Sequence, residues 1–173
     1  MSDSGVYNNI IAVDDHDNVI AAMPKSEAIE KGYNCRASRA FVFNESGKVL
    51  LQRRSKHVSR PLLLDHSMAG HVDAGETYLM AAERELKEEL GIDATQYPLI
   101  EVEKPFLTHG FYGAMYKVVV PDDLAIDYDQ EEVAEVIWFT PEEVNTLLVE
   151  RKEECTSSLT DSWTRLRDRL VSL

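Results

Sequence analysis

Apolar and polar positions fall along the chain in blocks that predict a mixture of strands and helices. Residues 9–23, NIIAVDDHDNVIAAM, are two short apolar runs around the polar turn DDHDN and predict a hairpin. KSEAIEKG predicts a short helix ended by Gly32. RAFVFNESGKVLLQRR predicts a second hairpin. Its FVF and VLL runs suit strands covered on both faces, and NESG supplies the turn. The stretch SKHVSRPLLLDHSMAGHVDAGE has no periodicity and predicts a long loop, of a length that usually goes with function. TYLMAAERELKEELG predicts a helix with Thr77 as N-cap and Gly91 as its stop. Strands are expected around 98–107, around 112–120 and over EEVAEVIWF. Thr140-Pro141-Glu142-Glu143 is a helix start, with a capping threonine, proline in the first turn and glutamate three residues on. The last segment places Leu159, Trp163, Leu166 and Leu170 on one face and predicts an amphipathic helix packed on the domain. No repeat or low-complexity tract interrupts the pattern. It predicts one mixed α/β domain over 1–173, made of an N-terminal hairpin and short helix (1–34) and a core with C-terminal helices (35–173).

Composition narrows the function classes. An apolar fraction of 44% is normal for a folded protein. Eighteen basic against 31 acidic residues leave a net charge of −13, which argues against a partner such as a nucleic-acid polymer or an anionic membrane. A small anionic substrate is still allowed, because a local basic pocket or a bound metal outweighs net charge. No apolar run approaches the roughly 20 residues that span a bilayer. The first residues, MSDSGVYNN, lack the basic and apolar regions of a secretory leader. Cys35 and Cys155 sit in no zinc or CxxC spacing and read as reduced thiols of a cytoplasmic protein.

One helix carries chemistry. With Leu86 at zero and about 100° per residue, Leu79, Ala82 and Leu90 lie within about 40° and form the core stripe. Glu89 falls near about −60°, Glu85 near about −100° and Glu88 near about −160°, all on one flank, with Lys87 opposite. Like charges at that spacing repel. A solvated glutamate-rich face with an Arg84–Glu88 pair is one reading. The other is a hard divalent cation, which takes a few carboxylates plus water and phosphate oxygens.

GHVDAGETYLMAAERELKEELGI resembles the Nudix box: glycine, five residues, glutamate, seven residues, then Arg-Glu-apolar-x-Glu-Glu-x-Gly-apolar. Gly70, Glu76, Arg84, Glu85, Leu86, Glu88, Glu89, Gly91 and Ile92 occupy every fixed place over 23 residues. The resemblance implies an α/β/α sandwich around a mixed sheet and hydrolysis of a diphosphate linked to another group. It implies Mg²⁺ or Mn²⁺ held by Glu85, Glu88 and Glu89, with the Gly70 carbonyl as a further ligand. Arg84 would orient the glutamates, and Glu76 would brace the loop against the helix. Such a cation offsets phosphate charge and acidifies a water, whose proton a carboxylate takes. Glu89 is the first candidate base. Glu131 or Glu132, before the EVIWF strand, is the alternative beside a solvated strand entry.

From roughly residue 8 to 145 the chain is similar to the branch near isopentenyl diphosphate isomerase. That resemblance implies proton transfer at carbon, yet its catalytic cysteine is replaced by Ala69. Its glutamate pair has no match near His109 and Phe111, and of its metal-binding histidines only His71 remains. The intact box therefore favours hydrolysis over isomerisation. A third reading is a ligand sensor on this scaffold. Family members often form dimers, so a homodimer is allowed. Arg53, Arg54 and Lys56 follow a core strand and are candidate phosphate contacts, with His71 a candidate for metal or substrate and Arg36 and Arg39 weaker candidates. Phe106, Phe111, Tyr112 and Tyr116 are either core or a platform for a base.

Overall fold

The computed structural model of the chain describes residues 9–173, so the leader reading over the first residues and the start of the 1–34 segment fall largely outside the described residues. Strands β1 (Ile10–Val13) and β2 (Val19–Met23) form the first hairpin, and α1 spans Lys25–Glu30. The central strand is β3 (Asn34–Asn44). It is antiparallel to β4 (Val49–Arg54) and β6 (Met68–His71), and parallel to β8 (Phe111–Val120). β8 pairs with β7 (Ile100–Thr108), while β4 pairs with β5 (Leu64–Asp65) and β9 (Val133–Phe139). The N-terminal hairpin joins this mixed sheet through β1, whose Ala12 and Val13 pair with Cys35 and Asn34.

Strand alternation on β3 builds two cores, because successive side chains face opposite sides. Ala40 and Val42 pack with Leu50 and Met68 against Ala82, Leu86 and Leu90 of α2 (Tyr78–Leu90). Phe41 and Phe43 face the other way, onto Val144 of α3 (Pro141–Glu150) and onto Leu159, Trp163, Leu166 and Leu170 of α4 (Ser157–Ser172). Helices thus cover both faces of one mixed sheet, the sandwich expected from the box.

Helix ends follow their capping residues. Thr77 accepts from the Met80 N–H at 3.2 Å. Gly91 leaves α2 in the left-handed region (φ 67°), and Ile92 N–H returns to the Leu86 carbonyl at 3.3 Å. In α3 the Thr140 hydroxyl accepts from Glu143 N–H, while Glu143 accepts from Thr140 N–H, a complete capping box. Thr140→Ala is expected to cost about 1 kcal/mol of stability, read as a lower urea midpoint with unchanged slope.

Two expectations need correction. The loop over 55–76 contains β5 and β6, which are too short to show an alternating pattern, and neighbouring strands supply their partners. The core stripe of α2 is also rotated. Leu79 is 43% exposed, whereas Ala81, on the acidic flank, is buried against Ile11, Val13 and Val72. The N-terminal hairpin and the approach to α2 cover that flank, which no helical wheel contains. Both cysteines are buried and free. Among the described residues no helix is long and apolar enough to cross a membrane.

Candidate active site beneath strand β6

Glu89 is drawn into the protein by that rotation and is only 4% exposed. Its Oε2 accepts from Gln52 Nε2 at 2.7 Å, and the Ala69 N–H also reaches the carboxylate. Burial, and next the charge of Glu85, push its carboxyl well above the ordinary range. Gln52 itself is held by donating to the Ser67 carbonyl at 3.2 Å. Gln52 is not among the residues singled out from the sequence, and its signal there is a lone amide inside the VLLQRR strand.

Glu85 lies directly under β6. A Cβ on Gly70 would stand 2.2 Å from Glu85 Oε1, so only glycine lets the carboxylate approach this backbone. Burial raises the Glu85 carboxyl, against the pull of Arg84. Glu88 points outward, its side chain 59% exposed.

Arg84 ties the helix to the loop. Its Nε and Nη2 donate to the two oxygens of Glu76 at 2.7 and 2.9 Å, a bidentate pair. Nη1 donates to Glu85 at 2.8 Å and Glu88 at 3.1 Å, and Nη2 also donates to the His71 carbonyl at 3.1 Å. Hydrogen bonding to Glu76 chiefly, then to Glu85, raises Arg84 above its ordinary value, and Arg84 in turn lowers Glu76. Glu76 Oε2 also accepts from Asp73 N–H at 2.9 Å, which closes the loop on itself.

Among the described residues no three His, Cys, Asp or Glu groups stand gathered as a finished ligand set. Glu85 and Glu88 turn toward Arg84 instead. The residues nevertheless fit a divalent cation. A buried carboxylate with a like-charged neighbour, held by one amide and one backbone N–H, lacks the positive charge it needs. Glu132 raises both Glu85 and Glu89 electrostatically. The Ser55 N–H binds the Glu132 carbonyl at 2.9 Å and holds that turn.

A cavity of about 360 Å³ adjoins β6 on the α4 side. Arg54, Arg39, His71 and Phe111 line it, while Arg53, Arg36 and Lys56 do not. The register slips between Arg53 and Arg54, so strand alternation does not set which way each one points. Arg53 is spent on Glu135 at 2.5 Å and the Leu62 carbonyl at 3.1 Å. Arg36 binds Asp17 at 2.8 Å and lies over the Tyr78 ring. Lys56 is exposed. Burial, and then the cations Lys25, Arg39, Arg54 and Arg84, press His71 down to about 4, so the ring is neutral near pH 7. Of the aromatic candidates, Phe111 meets His71 edge-on and Tyr116 is core. Phe106 packs on the α4-side core beneath Arg165, and Tyr112 donates to the Asp15 carbonyl.

The chain is similar to known proteins in sequence and in fold. The NUDIX domain profile matches residues 34–159. An uncharacterized Nudix hydrolase of Nostoc sp. is 37% identical over 138 residues, covering 76% of this chain and 80% of the relative. Isopentenyl-diphosphate Delta-isomerase 2 of Photorhabdus laumondii is 35% identical over 126 residues, covering 72% of this chain and 63% of that enzyme. In fold, the crystal structure of the Deinococcus radiodurans protein DR0079 superposes with a TM-score of 0.81 at 24% identity, covering 91% of this chain and 98% of that one.

Proposed function

The chain belongs to the Nudix hydrolase family, and from that premise we propose that it hydrolyses the diphosphate linkage of a small organic diphosphate. Members of this family act on small molecules and generally use divalent metal ions. Glu85, Glu88, Glu89 and the Gly70 carbonyl would hold Mg²⁺ or Mn²⁺ here. Bound there, the cation supplies charge neutralisation of the diphosphate and acidification of water. The buried Glu89 carboxylate beside Glu85 is the observation that carries this reading.

The chain's own residues do the rest. Arg84 aligns Glu85 and Glu88 and, through Glu76 and the His71 carbonyl, fixes α2 against the loop. Gln52 holds the Glu89 carboxylate from the strand side. Glu89 would be the base for a water on the buried side of the cluster, with Glu131 or Glu132 as the alternative. The similarity to the Photorhabdus enzyme is in favour of isomerisation. Proton transfer to carbon needs a positioned donor, and Ala69 offers none where that branch carries its thiol.

A screen of nucleoside di- and triphosphates, nucleotide sugars, coenzymes and isoprenoid diphosphates with Mg²⁺ or Mn²⁺ tests the proposal. Repeating hits in ¹⁸O-water locates the attacked phosphorus. Isomer formation without phosphate release would reverse the assignment. Gly70→Ala is expected to displace Glu85 and lower hydrolysis on the order of 100-fold, with circular dichroism unchanged.

A further inference from the structure

Arg39 is an anomaly in β3. It occupies the same face as Phe41 and Phe43, where a buried apolar side chain would be ordinary, yet it is a guanidinium only 6% exposed. Arginine keeps its charge even when buried. Its Nη1 has no hydrogen-bond partner. No carboxylate within ion-pair distance of Arg39 is found among the described residues. The fold makes room for it: a Cβ on Gly113 of β8 would lie 1.9 Å from Nη1.

Arg39 lines the cavity together with Lys25, Arg54, Arg60 and Ser158. Ser158 lies in the first turn of α4, where backbone N–H groups and the helix dipole favour negative charge. Its Oγ is buried and has no partner either. Asp65 is the cavity's carboxylate, and both its oxygens are taken. Oδ1 accepts from His66 and Thr156 at 2.8 and 2.9 Å, and Oδ2 from Arg54 at 3.0 Å. A chain with a net charge of −13 thus keeps a cationic chamber, and Arg39 and Ser158 of its lining each carry a buried, unused donor. Leaving such groups unmatched costs stability, which a ligand anion would return.

Strand register puts this chamber and the glutamates on opposite sides of β6, and Gly70 borders the chamber. Arg39 is paired with Ala69, and Ser38, whose hydroxyl binds the Tyr78 carbonyl of α2 at 2.6 Å, is paired with Gly70. Glu85 therefore approaches β6 from the α2 side, and Arg39 lies on the α4 side. We propose that the cavity is an oxyanion subsite in which Arg39 Nη1 and Ser158 Oγ hold an acidic group, a phosphate or a carboxylate, borne by the organic part of the substrate. This rests on the hydrolase reading and narrows it to diphosphates that carry a second anionic group.

The test uses full-length, metal-free protein in EDTA, titrated with inorganic phosphate and with acetate by calorimetry and by NMR. Saturable binding in the roughly millimolar range is expected, and the tighter of the two names the acid. Arg39→Met should weaken it at least about 10-fold, the loss of a charged hydrogen bond, and Ser158→Ala about 3-fold. Arg165→Met, on the far surface, should leave it unchanged. Ligand-free Arg39→Met should melt no lower than wild type, a result that a purely structural arginine would not give. If Arg39→Met does not fold, Arg39→Lys serves in its place, with weakened binding expected. Equal phosphate affinity in wild type and the Arg39 and Ser158 variants, or no binding at tens of millimolar, would overturn the subsite. Arg39-dependent binding with no diphosphate hydrolysis would instead count against the hydrolase reading alone.

Discussion

Glu89→Gln is expected to lower diphosphate hydrolysis by about 10²–10⁴-fold while making the metal-free protein more stable at pH 8. The two effects come from one carboxylate. With Mg²⁺ or Mn²⁺ bound, the charge of Glu89 is needed. Without metal it is a buried anion beside Glu85, held only by Gln52 and the Ala69 N–H. The sign follows from its raised pKa. Stability from the protonated form is complete below the ordinary value of 4.5 and is lost as pH rises through the elevated folded value. Metal-free wild type should therefore melt lower as pH climbs above about 4.5, and glutamine should flatten that slope. Thermal melts across pH in EDTA, repeated with Mg²⁺, measure it. Glu88→Gln should lower activity as well but leave the melts nearly unchanged, since Glu88 is exposed. Full activity in both variants would end the metal-site reading.

Asp65→Ala is expected to destabilise the fold by about 3–5 kcal/mol, read from urea unfolding. Asp65 is almost fully buried and joins three elements. It accepts from Arg54 of β4, from the backbone N–H and ring Nδ1 of His66, and from Thr156, the N-cap of α4. Burial lowers the pKa of His66, so the ring stays neutral and donates its Nδ1–H. Burial opposes ionisation of Asp65, but the His66 bonds and the Arg54 charge outweigh it and hold the carboxyl well below the usual range. This stability is present above the ordinary value of 3.8 and is lost as pH falls toward the folded value. The variant should lose the acid-side drop as well as the stability. A loss under about 1 kcal/mol would show that the network is not coupled.

Much of the fold was legible because its signals are local. Hairpins at 9–23 and 39–54, the Thr77 and Thr140 caps and the α4 stripe each depend on residues a few places apart. β5 and β6 were not legible, since two- and four-residue strands take their identity from partners far along the chain. The site divides the same way. The family resemblance implies that Glu76 braces the loop against the helix, and Arg84 makes that link, but Gln52, Arg39 and Ser158 belong to elements that only the sheet brings near β6.

The sequence by itself determined the family, through a complete box from Gly70 to Ile92, and with it the reaction class and the layered architecture. The resemblance of the box carried those, while periodicity carried the elements, because helix and strand repeats are written in consecutive residues. Only the tertiary structure decided which flank of α2 is buried, so that Glu89 is enclosed while Leu79 is exposed. It alone decided that Arg54 and Arg39 enter the cavity while Arg53 pairs with Glu135 and Arg36 with Asp17. Burial and charge pairing are set by what covers a side chain, and here the cover comes from strands and helices distant in sequence.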